Sequence, residues 1–203
     1  MFKNHTVSTI LKSVLASLLI CLGAFIYLSF PNILGACLFS VGLISVIALG
    51  ANLFTGKVGY VKDKRSFIDI LIFLVVNLVV AFCAGLIVKQ VYEITSDFDV
   101  RLLKDGWQIL FDSIICGVLI YLAVELYKRT HNLFVVALCV VCFITCGAEH
   151  SIADAFYLGL SNLSPIAFGY LGLIVVGNSV GSLGINWLLR FCEISYNKKA
   201  EEK

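Results

Sequence analysis

"CGAEHSIADAF", from Cys146 to Phe156, sets Glu149, His150 and Asp154 within a few positions of one another. Directly before it runs "LFVVALCVVCFIT" (Leu133 to Thr145), in which two cysteines are the only ionisable groups. Charge is hardest to place beside such a run, so the fold must supply partners for these three side chains. The rest of the sequence indicates what kind of fold that is.

The chain is 60% hydrophobic and 14% charged, with a mean hydropathy of +0.99. Soluble domains carry about a quarter charged residues. Several apolar runs reach the ~20 residues that cross a hydrocarbon layer of about 30 Å. No cleavable-signal pattern precedes them. An all-α polytopic membrane protein is expected, as one domain over residues 1–203. The eight cysteines fall in or next to apolar runs and act there as small hydrophobes. The spacing of Cys139, Cys142 and Cys146 suits a helix, but no second CxxC exists to complete a soft-metal site.

Apolar runs between charges predict six spans, at about 9–30, 32–55, 67–91, 107–127, 133–158 and 165–190. The segment "KVGYVKDKR" (57–65), the turn "KRTHN" (128–132) and both terminal segments are lysine- or arginine-bearing. "SFPN" and "GLSNLSP" carry no charge, and 93–105 mixes Glu93, Asp97 and Asp99 with Arg101 and Lys104. The excess of basic residues predicts both termini in the cytoplasm of a plasma-membrane protein.

The two halves, about 9–91 and 107–190, resemble each other. "GANLFTGKVGYV" (Gly50 to Val61) ends span 2 and "GAEHSIADAFYL" (Gly147 to Leu158) ends span 5. Each follows a long apolar run and opens with Gly-Ala. The next span of each half carries a lone asparagine, Asn77 in "VVNLVV" and Asn178 in "VVGNSVG". Three spans per half is an odd number, so an inverted 3+3 repeat is expected, with spans 2 and 5 broken near the glycines and a site at the midplane.

These stretches, with "LFSVGLISVIALGANLFTGKV" (38–58), "CGVLIYLAVE" (116–125) and "VGNSVGS" (176–182), resemble the formate/nitrite transporter family over about Leu34 to Trp187. The resemblance implies an aquaporin-like fold of six helices, a pore in every protomer, a homopentamer, and passage of small monovalent anions. It implies that Phe39, Leu43 and Phe54 line one apolar constriction, and Ile120 and Phe143 the other. Thr55 falls in the loop that breaks span 2, His150 is the central pore histidine, Glu149 faces away from the pore, and Asn178 matches the asparagine of the sixth span. Three positions depart from the family pattern: Gly117 stands for asparagine, Glu125 for tryptophan and Ala148 for phenylalanine. The family lysine ahead of span 4 aligns by distance with Arg101 and by type with Lys104.

The chemistry of the residues points the same way. Histidine, with an unperturbed pKa of about 6.5, is the side chain that small perturbations switch near neutral pH. Burial disfavours the imidazolium, and an approaching anion favours it. A weak-acid anion crossing apolar constrictions is therefore expected to exchange a proton at His150, with Thr55 orienting the ring and Asn178 nearby. Structural use of His150 as helix glue is the plain alternative. Glu149 is expected to accept hydrogen bonds from backbone amides freed at a broken helix. Asp154 is expected to be a solvated or capping residue at the end of the span. Arg101 and Lys104, beside Asp97, Asp99 and Asp105, are expected to attract anions to the mouth.

No enzyme activity, metal or cofactor is expected. A zinc site at His150, Asp154 and Glu149 would need at least three protein ligands and an orienting second shell, and the other two histidines, His5 and His131, sit in flanking segments and not with His150. The net charge of +2 is spread over loops and offers no nucleic-acid surface. The remaining alternative is a non-conducting scaffold or sensor of the same fold, closed at Glu125 or Ala148. The expected partners are a small monovalent anion, the bilayer and further copies of the chain.

Overall fold

The computed structural model describes residues 2–92, 101 and 103–201, with side chains described between His5 and Glu193. All its regular structure is helical. In chain order the helices are α1 (Phe2–Ser29), α2 (Ile33–Ala48), α3 (Phe54–Lys57, continued by a 3-10 turn at Val58–Tyr60), α4 (Lys64–Tyr92), α5 (Gly106–Thr130), α6 (Leu133–Thr145), α7 (Ser151–Leu160) and α8 (Pro165–Glu201). Asp97 and Asp99, expected at the mouth, lie outside the described residues.

Among the described residues, four helical stretches are long and apolar enough to cross a membrane: His5–Ser29, Lys64–Tyr92, Gly106–Thr130 and Pro165–Glu193. The runs 32–55 and 133–158, in which breaks near the glycines are expected, each hold two separate helices. α2 stops at Ala48 and helix resumes at Phe54; α6 stops at Thr145 and helix resumes at Ser151. Both stops have the same cause. Gly50 and Gly147 hold φ of 62° and 71°, the left-handed region that favours glycine. Around each, two amides turn back onto the helix: Gly50 N to Ile47 O at 3.2 Å and Ala51 N to Val46 O at 2.9 Å, then Gly147 N to Ile144 O at 3.2 Å and Ala148 N to Phe143 O at 2.9 Å. These pairs close Schellman motifs and end the helices with their carbonyls satisfied.

The residues after each stop run extended and leave peptide groups that no helix satisfies. Asn77 and Asn178, both wholly buried, satisfy them. Asn77 Oδ1 accepts from Phe54 N at 2.8 Å, while its Nδ2 donates to Asn52 O at 3.2 Å and Ser13 O at 2.8 Å. Asn178 Oδ1 accepts from Ser151 N at 2.9 Å, while its Nδ2 donates to Glu149 O at 2.8 Å and Ser113 O at 2.9 Å. One amide thus serves the helix that restarts, the segment before it and a neighbouring long helix.

Packing surrounds these points. α5 lies on α8, α4 on α7, α1 on α2 and α4, and α2 on α6. The α4–α7 approach is close enough that a Cβ on Gly85 would fall 2.2 Å from Phe156 O, and one on Gly159 2.4 Å from Phe82 O. All ten residues of α7 are buried, and Lys89 Nζ caps its C-terminal end at Ser161 O, 2.7 Å away. The outer faces of α1 and α4 are apolar and exposed at Leu11, Leu22, Val75, Val79 and Ile87, as lipid contact requires.

Removing either asparagine side chain strands one buried amide and two carbonyls. Each stranded group costs about 1–3 kcal/mol. Asn77→Ala and Asn178→Ala are expected to lower the stability of the detergent-solubilised protein by about 3 kcal/mol or more, read as a drop in thermal midpoint. Ser113→Ala, which keeps the carbonyl that Asn178 uses, is expected to cost far less. Equal losses in Ser113→Ala and Asn178→Ala would refute this division of labour.

Candidate functional site

His150 is the N-cap of α7, and its ring joins the two divided segments. Nδ1 accepts from Ala153 N at 3.2 Å, and Nε2 lies 2.9 Å from Thr55 Oγ1 at the start of α3. Because Nδ1 accepts, the neutral ring carries its hydrogen on Nε2 and donates it to Thr55. The Thr55 oxygen is occupied by that bond, and its own proton remains to be offered. Placing a second proton on Nδ1 would break the cap to Ala153. His150 and Thr55 are 2% and 1% exposed, so this polar pair is held in apolar surroundings.

His150 lines one of two nearby cavities, and Gly56, next to Thr55, lines the other. One, of about 240 Å³, is lined by Phe39, Phe143, His150 and the charged residues Arg101, Lys104, Glu149 and Asp154, among others. The other, of about 220 Å³, is lined by Leu43, Leu53, Gly56, Lys57 and Lys128, among others. The Phe143 ring stacks on the His150 ring at 5.8 Å between centroids and meets Phe39 edge-on at 5.7 Å. Of the five residues expected at constrictions, Phe39 and Phe143 line the first cavity and Leu43 the second. Phe54 and Ile120 line neither and are buried in the same apolar core.

Several expected roles differ from the geometry. Asn178, expected with His150 in the pore, directs its bonds to backbone groups, as described above. Glu149 was expected to take backbone amides. Its carboxylate meets cations instead: Oε1 is 2.9 Å from Lys104 Nζ, and Oε2 is 2.8 Å from Arg101 Nη1, an ion pair by distance without hydrogen-bond alignment. The amides are served by the asparagines, whose smaller neutral side chains reach donor and acceptor at once. Asp154, expected to be solvated or capping, is 1% exposed and forms an ion pair with Arg101. The side chain that caps α7 is His150.

Arg101 and Lys104 therefore do not stand alone at the mouth. Arg101 lies over the Tyr157 ring at 4.8 Å and touches Glu149 and Asp154. Lys104 joins Glu149 to Asp112, whose Oδ2 is 2.7 Å from Nζ. Burial opposes the charge on Lys104, but Asp112 and Glu149 outweigh it and hold the ammonium above the ordinary lysine range. Lys57 was not singled out from sequence beyond its place in a basic loop. Its Nζ donates to Asn52 Oδ1 at 2.6 Å.

The three departures from the family pattern have separate surroundings. A Cβ at Gly117 would fall 2.3 Å from Asn178 O, so the α5–α8 approach excludes a side chain there. Glu125 accepts from Tyr60 OH and Arg129 Nε, both at 2.8 Å, and lines neither of the two cavities. Ala148 lines the first cavity.

A family model described as "Formate/nitrite transporter" matches residues 2–192. Among solved structures, one described as "FNT family ion channel" superposes with a TM-score of 0.82 at 18% identity, over 94% of this chain and 92% of that chain. Another, described as "Pentameric formate channel with formate bound", superposes with a TM-score of 0.85 at 20% identity, over 97% and 100%. These likenesses show the fold. No individual curated protein matches.

The raised proton affinity of Lys104 has a consequence for stability. A lysine whose folded pKa exceeds its unfolded value of about 10.4 stabilises fully below that pH and loses the contribution as pH rises through the folded value. The stability difference between wild type and Lys104→Met is therefore expected to be constant up to about pH 10 and to shrink above it. Thermal midpoints measured across that range check this; a difference that persists unchanged into strong alkali would contradict it.

Proposed function

The chain belongs to the formate/nitrite transporter family, and on that premise we propose that it is a homopentameric membrane channel for small weak-acid monovalent anions such as formate, nitrite or hydrosulfide. The observation that carries this reading is the buried His150–Thr55 pair, 2.9 Å apart, with one cavity at His150 and another at Gly56 beside Thr55. The six spans form an inverted 3+3 repeat in which α2 with α3 and α6 with α7 are the two broken members. The matching Schellman turns and asparagine contacts support it. Both termini face the cytoplasm of the plasma membrane, in keeping with the distribution of lysine and arginine.

An anion forced between Phe39, Leu43, Phe54, Ile120 and Phe143 loses hydration worth several kcal/mol. The neutral acid does not. The proton exchange takes place at His150. As the anion arrives, a proton from solvent joins Nδ1 and releases the Ala153 cap. The imidazolium passes its Nε2 proton by way of the Thr55 hydroxyl to the passing oxygen, and the ring is left neutral as the neutral acid moves on. The Ala153 cap on Nδ1 holds the resting ring in its Nε2–H form. The scaffold reading finds no support at Glu125, which is turned away to Tyr60 and Arg129. Five copies pack through α8, where Gly169, Gly172 and Gly184 have open space in the protomer; a solved relative is described as pentameric.

His150→Asn tests the site. Asparagine is a good N-cap, so α7 keeps its start while titration near neutral pH is lost. Formate uptake into proteoliposomes is expected to lose its pH dependence in this variant, and His150→Phe to block the lumen. Phe143→Ala and Phe54→Ala are expected to admit larger anions with little change in pH dependence. An unaltered flux–pH curve in His150→Asn would make the histidine structural. Mass in mild detergent is expected to equal five copies; a monomer or dimer would remove the pentamer.

A further inference from the structure

Asp154 is a buried carboxylate that the proposed exchange at His150 does not use. It sits in the first turn of α7, 1% exposed, in the wall of the 240 Å³ cavity. Each charged contact there joins opposite signs: Arg101 with Asp154 and Glu149, Lys104 with Glu149 and Asp112. Taken as ionised groups, the described network holds two cations and three carboxylates, so it is net negative. Lys57 occupies the corresponding place of the other half, seven residues after its left-handed glycine, as Asp154 lies seven after Gly147. Lys57 and Lys128 line the second cavity, and no carboxylate lines it among the described residues. At matched positions the halves carry opposite charge.

We propose that Asp154 sets the sign of the Arg101 mouth, so that this mouth admits the neutral weak acid and holds back its anion. The inference rests on the channel reading and replaces attraction of anions by Arg101 and Lys104. One unit of charge in water-like surroundings, about 6–8 Å from a passing anion, changes the local anion concentration roughly two- to threefold. The neutral acid is not affected. The charged and titratable groups around Asp154 are Arg101 and Lys104 ahead of α5, Asp112 on α5, Glu149 and His150 in the connection, Tyr157 on α7 and Tyr27 on α1. From α4, Lys89 is bound to Ser161 O at the far end of α7.

The test sets two opposite charge changes against each other. Asp154→Asn makes the mouth one unit more positive, Arg101→Gln one unit more negative, and the double variant restores the balance. Formate uptake well above the pKa of the acid is expected to rise roughly two- to threefold in Asp154→Asn, to fall in Arg101→Gln, and to return in the double variant. Added salt should shrink these differences. Equal losses in both single variants, without rescue in the double, would make the pair a strut and overturn the proposal. A second readout needs no transport. In Ala148→Cys with Cys146→Ser, a cationic methanethiosulfonate is expected to outpace an anionic one relative to a free thiol, and Asp154→Asn to reduce that ratio. If wild-type protein moves no formate but keeps the ratio, the channel reading falls and the charge assignment stands. A ratio that favours the anionic reagent, or one that Asp154→Asn leaves unchanged, overturns the assignment.

Discussion

A peptide group buried without a partner costs about 1–3 kcal/mol, and water is scarce inside an apolar bundle. That constraint governs this structure wherever helix stops short of the surface. Two glycines end α2 and α6, and two asparagines take up the groups left over. Everything at the site depends on these junctions. Thr55 begins at one and His150 at the other, and their 2.9 Å contact exists because both extended segments are held in place from behind. The amide side chain suits the task because it donates and accepts without bringing a charge.

Charge is handled by a different device. The chain places Glu149 and Asp154 in its interior and supplies Arg101 and Lys104 from the segment ahead of α5 to meet them. Buried ion pairs of this kind contribute little net stability, but losing one partner leaves an expensive orphan. The network therefore fixes where Arg101 and Lys104 sit in the wall of the first cavity. It also makes the electrical character of that mouth a sum over several residues.

The long apolar helices were legible in the sequence because hydropathy is a local property. Expected spans at 9–30, 67–91, 107–127 and 165–190 agree with the four long helices to within a few residues, apart from the earlier start of α1 at Phe2 and the extended C-terminal end of α8. Gly50 and Gly147 also announced the interruptions. Partners were harder to read. Thr55 and His150 are separated by 95 positions, and only the family resemblance brought them together. Asn77 and Asn178 were conspicuous as lone polar residues, but nothing local says whether such a residue faces a lumen or a backbone. Asp154 was misjudged for the same reason. Its place near the end of an apolar run suggested solvent, whereas α7 is buried on every side and Arg101 reaches it from another segment.

The burial of α7 bears on how the protein is built. Ten residues rise about 15 Å, half the thickness of a hydrocarbon layer of about 30 Å. Such a segment, with an aspartate in its first turn, cannot insert into lipid by its own hydrophobicity. Its glycine-to-glycine seat at Gly85 and Gly159 exists only once α4 is in place. The seating of α7, and with it the position of the His150 cap, therefore depends on α4 being in place.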